Sequence, residues 1–205
     1  MPEPQALAAL QRQRSGVNLF FLPLNTRDPR SLLEQGQADL AMGFFPAVAA
    51  AVSAEGHSAP VRLAPLYDSD YVCVMRRGHP LAEPGALTLD AYCAARHLLV
   101  SFSGRPFGFV DEALSAMSRQ RRVVITVNQF FTAGRVVAST DLLPVLPRHF
   151  VGVTGFADQL VMRELPFQVA PIQIDALWHP RHHGSSAHAW LRQLVVEQAR
   201  RSFLC

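Results

Sequence analysis

The stretch LYDSDYVCVMRRGHPLA, residues 66–82, decides the fold. Its middle, Tyr71-Val72-Cys73-Val74-Met75, is a short apolar run of β-branched and aromatic types, led in by Asp68 and Asp70. Arg76, Arg77, Gly78 and Pro80 stop it. Such a run predicts a strand buried on both faces, as in a parallel or mixed sheet covered by helices. β/α alternation lies on both sides of the break, so this strand is read as the point where the chain leaves one lobe and enters another.

The 205 residues suffice for one large domain or two small lobes with separate cores. A hydrophobic share of 49% against 17% charged describes an ordinary soluble globular protein. No window approaches the ~18 uninterrupted apolar residues of a membrane span. The opening MPEPQALAALQRQR lacks a basic segment followed by an apolar one, which argues against a secretory signal and for the cytoplasm. The net charge of +3 is carried by arginine alone, with no lysine in the chain. The densest run, Arg119 to Arg122, reads as a solvated helix-to-strand loop rather than a phosphate-binding patch. Cys73, Cys93 and Cys205 are odd in number and widely spaced, as expected of reduced, structural thiols, two of them buried.

Along the chain, Pro4 to Arg14 predicts a helix and Val17 to Leu22 a strand. Asp28-Pro29 suits the start of a short helix through Gln35, with Gly36 as its stop. Ala38 to Gly43 predicts a strand, residues 47–60 an irregular alanine-rich surface loop, and Val61 to Leu66 the approach to the central strand. Thr88 is placed to cap a helix to about Ala94. Strands follow at His97–Val100, Val123–Val127, Leu142–Leu146, Leu160–Glu164 and Ile172–Leu177, and helices at Phe109–Met117 and Phe130–Ala138. Ser185 or Ser186 caps a long final helix. Strands alternating with helices predict a predominantly parallel open sheet.

The loop Ser101-Phe102-Ser103-Gly104-Arg105-Pro106-Phe107-Gly108 follows a strand and precedes a helix, where open α/β sheets bind ligands. Its hydroxyls, backbone N–H groups and the helix dipole would favour a carboxylate or phenolate. A polar turn with glycines serving the backbone is the plainer alternative. Asn128-Gln129-Phe130-Phe131-Thr132 occupies an equivalent junction and offers amide donors beside aromatic walls. Phe44 and Phe45 end a strand of the first lobe, although each aromatic taken singly is better explained by core packing. His179 and His183 stand four apart, but Pro180 and Gly184 break the helix that would align them, so no metal site is expected. Nor does Phe102-Ser103-Gly104 match a nucleophile elbow, and no catalytic residues are assigned.

Taken in order, these segments resemble the effector-binding domain of LysR-type transcriptional regulators. Gln37-Ala38-Asp39-Leu40-Ala41-Met42-Gly43 looks like the family's "G-x-x-D-L-A-I-G" strand, and residues 66–82 its "V-x-V-x-R-x-x-H-P-L-A" crossing. Leu87-Thr88-Leu89 and His97 to Gly108 fit the strand and loop that follow, and Thr140-Asp141-Leu142 to Pro147-Arg148 a further segment. Trp178-His179-x-Arg181 and Ala189-Trp190-Leu191-Arg192 are similar to the branch of nodulation regulators and salicylate- and nitroaromatic-responsive activators.

The resemblance implies an α/β fold of two Rossmann-like lobes joined by two crossing strands, like the type 2 periplasmic binding proteins. It implies lobe I as residues 1–75 plus 176–205 and lobe II as 76–175, with Val72, Val74, Arg76, Asp175, Leu177 and Trp178 at the hinge. A small aromatic or acidic effector would lie in the interlobe cleft against Phe44, Phe45, Ser101, Ser103, Gly104, Phe107, Asn128, Phe130 and Ile174. No cofactor and no enzyme activity are implied, and the partners would be a second copy in a homodimer or tetramer. The family's helix–turn–helix has no counterpart here, so DNA would be reached only through an N-terminal domain not present in this chain. The chain also opens at what resembles the family's first helix rather than its first strand. A periplasmic-type solute-binding protein is the alternative.

Overall fold

In the computed structural model, residues 18–24, 26, 28–101 and 104–203 are described. They form two compact units: residues up to Asp68 together with those from Gln173, and Ser69–Ile172. The chain therefore passes between units before Tyr71 and before Asp175, earlier than the boundaries expected at 75/76 and 175/176.

The second unit is built around β3 (Tyr71–Arg76). Val72, Cys73, Val74 and Met75 are wholly buried, as their apolar run predicts. Alternation along the strand sends Val72 and Val74 into one cluster, with Leu98, Val137 and Leu146, and Cys73 and Met75 into another, with Tyr92, Leu114 and Leu143. On either side β3 pairs antiparallel, with β6 (Val145–Pro147) and β7 (Leu160–Glu164). β4 (Arg96–Val100) and β5 (Arg122–Val127) pair parallel. Residues 143–144 tie the two ladders together: Leu98 N–H donates to Leu143 O (3.3 Å) and Val74 N–H to Pro144 O (3.0 Å), with a parallel bridge at His97–Leu143. Among the described strands of this unit only β3 runs against the others, so the sheet is mixed, with four strands sharing one direction. Helix alternation dictates the layers, but a strand arriving from another unit sets its own direction.

The helices of this unit are α3 (Leu89–Ala94), α4 (Phe109–Ala116), α5 (Phe130–Ala138) and α6 (Arg148–Val153). Thr88 Oγ1 accepts from Ala91 N–H (3.2 Å) and caps α3 as its position predicts. The helix α6 was not expected from the sequence. Its residues, RHFVGV, carry a glycine and two valines that weaken any propensity signal.

In the first unit, β8 (Ile172–Trp178) lies between β1 (Ala41–Gly43) and β2 (Arg62–Ser69), antiparallel to β1. Around this sheet are α1 (Arg30–Glu34), α2 (Pro46–Glu55) and α7 (Ser186–Phe203). The alanine-rich segment expected to be irregular is helix α2 instead. Alanine has the best helix propensity, Pro46 suits the first turn, and Gly56 (φ +57°) ends it. Ser185 Oγ accepts from His188 N–H (3.3 Å) at the start of α7. Arg181 donates to Glu34 O (2.9 Å) and to Leu33 O, covering the last carbonyls of α1, while Gly36 (φ +70°) turns the chain out of it. Residues 18–22 form no strand, and Phe20, Phe21 and Leu22 are exposed. The expected helix at 4–14 and the third cysteine, Cys205, lie outside the described residues. Cys73 is buried and its thiol pushed up to about 12 by that burial, whereas Cys93 is only half-buried. Among the described residues no helix is long and apolar enough to cross a membrane.

Gly134 of α5 faces the buried Thr154, where an added Cβ would stand 2.5 Å from the threonine Cβ. Glycine to alanine inside a helix normally gains about 1 kcal/mol. Here the clash should reverse the sign, since overpacking costs ~1–3 kcal/mol. Gly134→Ala should lower the urea midpoint without changing the slope of the transition; an equal or higher midpoint would refute this packing.

Candidate functional site

Two neighbouring parallel strands, β4 and β5, end side by side at the register Val100–Val127. Ser101 N–H extends the ladder by donating to Val127 O (2.8 Å). Each strand then runs into a helix, β4 through residues 101–108 to α4 and β5 through Asn128-Gln129 to α5. Two helix N-termini, with their outward N–H groups and positive dipole ends, thus rise from adjacent strand ends, a geometry that suits an anionic group.

The residues singled out in the sequence fall into separate groups. Ser101, Gly104, Phe107, Asn128 and Phe130 all belong to these two junctions of the second unit. Gly104 takes φ +73° with nothing near its missing side chain, and its N–H donates to Ser101 O (3.3 Å). Phe107 is 56% exposed at the first junction, and Asn128 and Gln129 are exposed at the second. Phe130 is half-buried and stacks on Phe150 with ring centroids 4.4 Å apart. Phe131, named in the sequence as part of this junction but not among the expected contacts, is the more accessible of the two rings at 55% exposure. Ser103 lies outside the described residues.

Phe44, Phe45 and Ile174 belong to the first unit. Phe45 is a correction: at 1% exposure it fills the core with Leu33, Val48, Val61 and Leu177, and its ring lies against Gly43. Phe44 is half-buried, and Ile174 packs beside Leu66, Ala176 and Ala199. Of the residues expected at the hinge, Val72, Val74 and Arg76 are inside the sheet of the second unit, Arg76 donating to Asp141 (Nε–Oδ1 2.8 Å). Asp175, Leu177 and Trp178 are buried in the sheet of the first. Burial pushes the Asp175 carboxyl up, against a single hydrogen bond from Gln173 Nε2 (2.8 Å). Arg192 lies over the Trp178 ring at 4.7 Å and holds the carbonyls of His182 and His183 (3.2 Å each). His179 Nδ1 accepts from Arg181 N–H, and the described residues hold no cluster of metal-binding side chains.

The residues most clearly missed are Asp111 and Arg121. Arg121 was read as part of a solvated run, yet its side chain is 1% exposed and forks onto Asp111 (2.8 and 3.0 Å). Asp111, on the first turn of α4, also accepts from Gly108 N–H (2.8 Å), the last residue of the loop. An acid three residues past a helix start is a capping signal that the sequence did offer. Burial alone would raise the Asp111 carboxyl, but Arg121 and the Gly108 N–H outweigh it and hold it below its ordinary range. Arg121 further donates to Tyr92 OH (3.1 Å), and the Tyr92 ring packs on His97 at 4.5 Å. The imidazole of His97 sits between the carbonyls of Tyr92 (2.8 Å) and Leu143 (3.1 Å).

An α/β chain whose polar and aromatic residues gather at paired strand-to-helix junctions has the layout of a small-molecule-binding domain. More particularly, it belongs to the LysR substrate binding domain family, whose model matches residues 3–200. It is 31% identical over 169 residues to the HTH-type transcriptional regulator SyrM 1 of Sinorhizobium fredii, covering 82% of this chain and 47% of that protein. It is 29% identical to the HTH-type transcriptional activator NahR of Pseudomonas putida, covering 95% and 61%. The chain thus spans about half to three-fifths of these relatives' lengths. Among solved structures it is similar to the regulatory domain of MexT, a transcriptional activator in Pseudomonas aeruginosa. That match has a TM-score of 0.76 at 27% identity and covers 95% of this chain and 90% of that one. The effector binding domain of QuiR, solved with shikimate, shares the fold at a TM-score of 0.66 and 16% identity, over 97% and 90%.

Burial pushes His97 and His149 from the ordinary histidine value of 6.5 to about 4, in His97 against the pull of its two carbonyls. Between these values the folded chain binds fewer protons than the unfolded one, so stability rises with pH. Unfolding free energy should be fullest above pH 6.5 and fall as pH drops toward about 4. His149→Gln should flatten part of that slope in urea titrations at stepped pH; an unchanged slope would show that His149 titrates normally.

Proposed function

We propose that this chain is the effector-sensing part of a transcriptional regulator, and that its ligand is a small aromatic or acidic molecule. The observation that carries the reading is the pair of adjacent strand ends, Val100 and Val127, each opening into a helix N-terminus. Anions gain from such termini, and the exposed rings of Phe107 and Phe131 offer apolar surface at the same two junctions. Ser101, Ser103 and Asn128 are the side chains proposed to hydrogen-bond the ligand. The ligand would act by differential affinity for two arrangements of the chain, with the passages at Asp68–Ser69 and Ile172–Gln173 as the hinge. The relatives named above support a cytoplasmic regulator rather than an enzyme or a periplasmic solute carrier, with DNA engaged by a separate domain.

Self-association fits the same reading. β5 is hydrogen-bonded only to β4 among the described residues, and its Val124 and Ile125 are exposed. An apolar edge of this kind is a template for pairing with another chain. Ile125→Lys should shift the full chain from dimer or tetramer to monomer in sedimentation velocity, and an unaltered mass would place the interface elsewhere.

For the ligand, calorimetric titration with salicylate, benzoate, nitroaromatics and flavonoids should identify a binder. Silence across that panel from a folded sample would count against the reading. Replacing Ser103 and Asn128 with alanine should weaken an anionic binder by roughly ten- to a hundredfold, the loss of ~1.5–3 kcal/mol for a hydrogen bond to a charged group.

A further inference from the structure

The two junctions are held differently, the second by the stacked Phe130–Phe150 rings and the first by an ion pair. At the second, Gln129 makes no side-chain cap on α5. At the first, the chain enters through Ser101 N–H on Val127 O and leaves through Gly108 N–H on the Asp111 carboxylate, both 2.8 Å. That carboxylate is only 12% exposed and is held by a guanidinium at 1% exposure. Arg121 comes from the residue before β5, reaches the first turn of α4, and is steadied by Tyr92 OH at the end of α3. Three elements of the second unit therefore converge on one backbone N–H at the exit of the 101–108 segment.

We infer that the Asp111–Arg121 pair is a positioning clamp that sets the exit of this junction, residues 104–108, in its ligand-ready shape before any ligand arrives. The inference rests on the reading of that segment as part of the effector site. Neither residue touches the ligand; both act through Gly108. A pair this deeply buried is poor at adding stability, because desolvation of two charges offsets most of their attraction, and replacement of both by apolar groups is often tolerated. What such a fork supplies is geometry: two parallel N–H···O bonds fix the carboxylate plane, and the carboxylate fixes the N–H it receives. With the clamp in place, little conformational freedom remains to be lost on binding, which raises affinity without adding a contact.

The test uses the full chain and the double variant Asp111→Ala/Arg121→Met, which leaves no stranded charge. Hydrogen exchange without ligand is followed at Gly104 and Gly108, whose N–H groups have acceptors, and at Val72–Met75 of the core strand. The clamp predicts a urea midpoint near that of the unaltered protein, core amides unchanged, and loop amides exchanging about tenfold faster or more, as expected when a hydrogen bond to a charged group is lost. Loop rates that stay the same, or that rise only in step with the core, would overturn it. Should the double variant fail to fold, Arg121→Lys decides, since it keeps the charge and drops the fork: faster exchange confined to residues 104–108 supports the clamp, and a uniform rise refutes it. Titration of the unaltered protein with salicylate and benzoate runs alongside. No heat there would sink the effector reading while leaving the exchange result to stand for or against the clamp.

Discussion

Everything in the second unit depends on β3 being buried along its whole middle while running against its neighbours. Its four inner residues alternate between two apolar clusters, so one strand contributes to the packing on both faces of the sheet. Each buried valine or methionine side chain is worth about 1.5–3 kcal/mol relative to exposure. The strand has no freedom to slip, because a shift of one residue would exchange the two faces. Antiparallel ladders on both sides then lock β6 and β7 in place, and residues 143–144 carry the order across to β4 and β5.

That rigidity positions the candidate site. β4 and β5 can end together because their register is held from the β3 side, and side-by-side ends bring two helix N-termini near each other. The two junctions nonetheless differ in kind. The one after β4 is braced by a buried ion pair, a tyrosine hydroxyl and a histidine lodged between carbonyls. The one after β5 exposes Asn128, Gln129 and Phe131 and has a stacked Phe130–Phe150 pair behind it.

The first unit is held by arginines used as anchors. Arg181 covers the end of α1, and Arg192 joins Trp178, His188 and the carbonyls after β8. In a chain without lysine, the planar guanidinium supplies several donors in fixed geometry at each of these places, which a single ammonium could not. The same property explains how Arg121 can satisfy Asp111 and Tyr92 together.

Much of this was legible in the sequence where local rules decide. The buried run at 71–75, the cap at Thr88, the stop at Gly36 and the span of α5 follow from hydrophobic pattern, capping chemistry and glycine's freedom at positive φ, all short-range. The two junctions were legible too, as polar loops between a strand and a helix. Partnership was not. Phe45 and Phe107 are the same residue type in similar settings, yet one fills a core and the other faces solvent. Arg121 looks like its neighbours, yet it alone turns inward. The direction of β3 is not written in its apolar run, because alternation says nothing of strand sense, and the alanine-rich 46–55 is a helix where an irregular loop was expected. The sequence by itself determined most of the strands and helices of the second unit and the place of its two strand-to-helix junctions. Only the tertiary structure decided which side chains face one another, because charge pairing and burial depend on residues ten to eighty positions apart that no local pattern links.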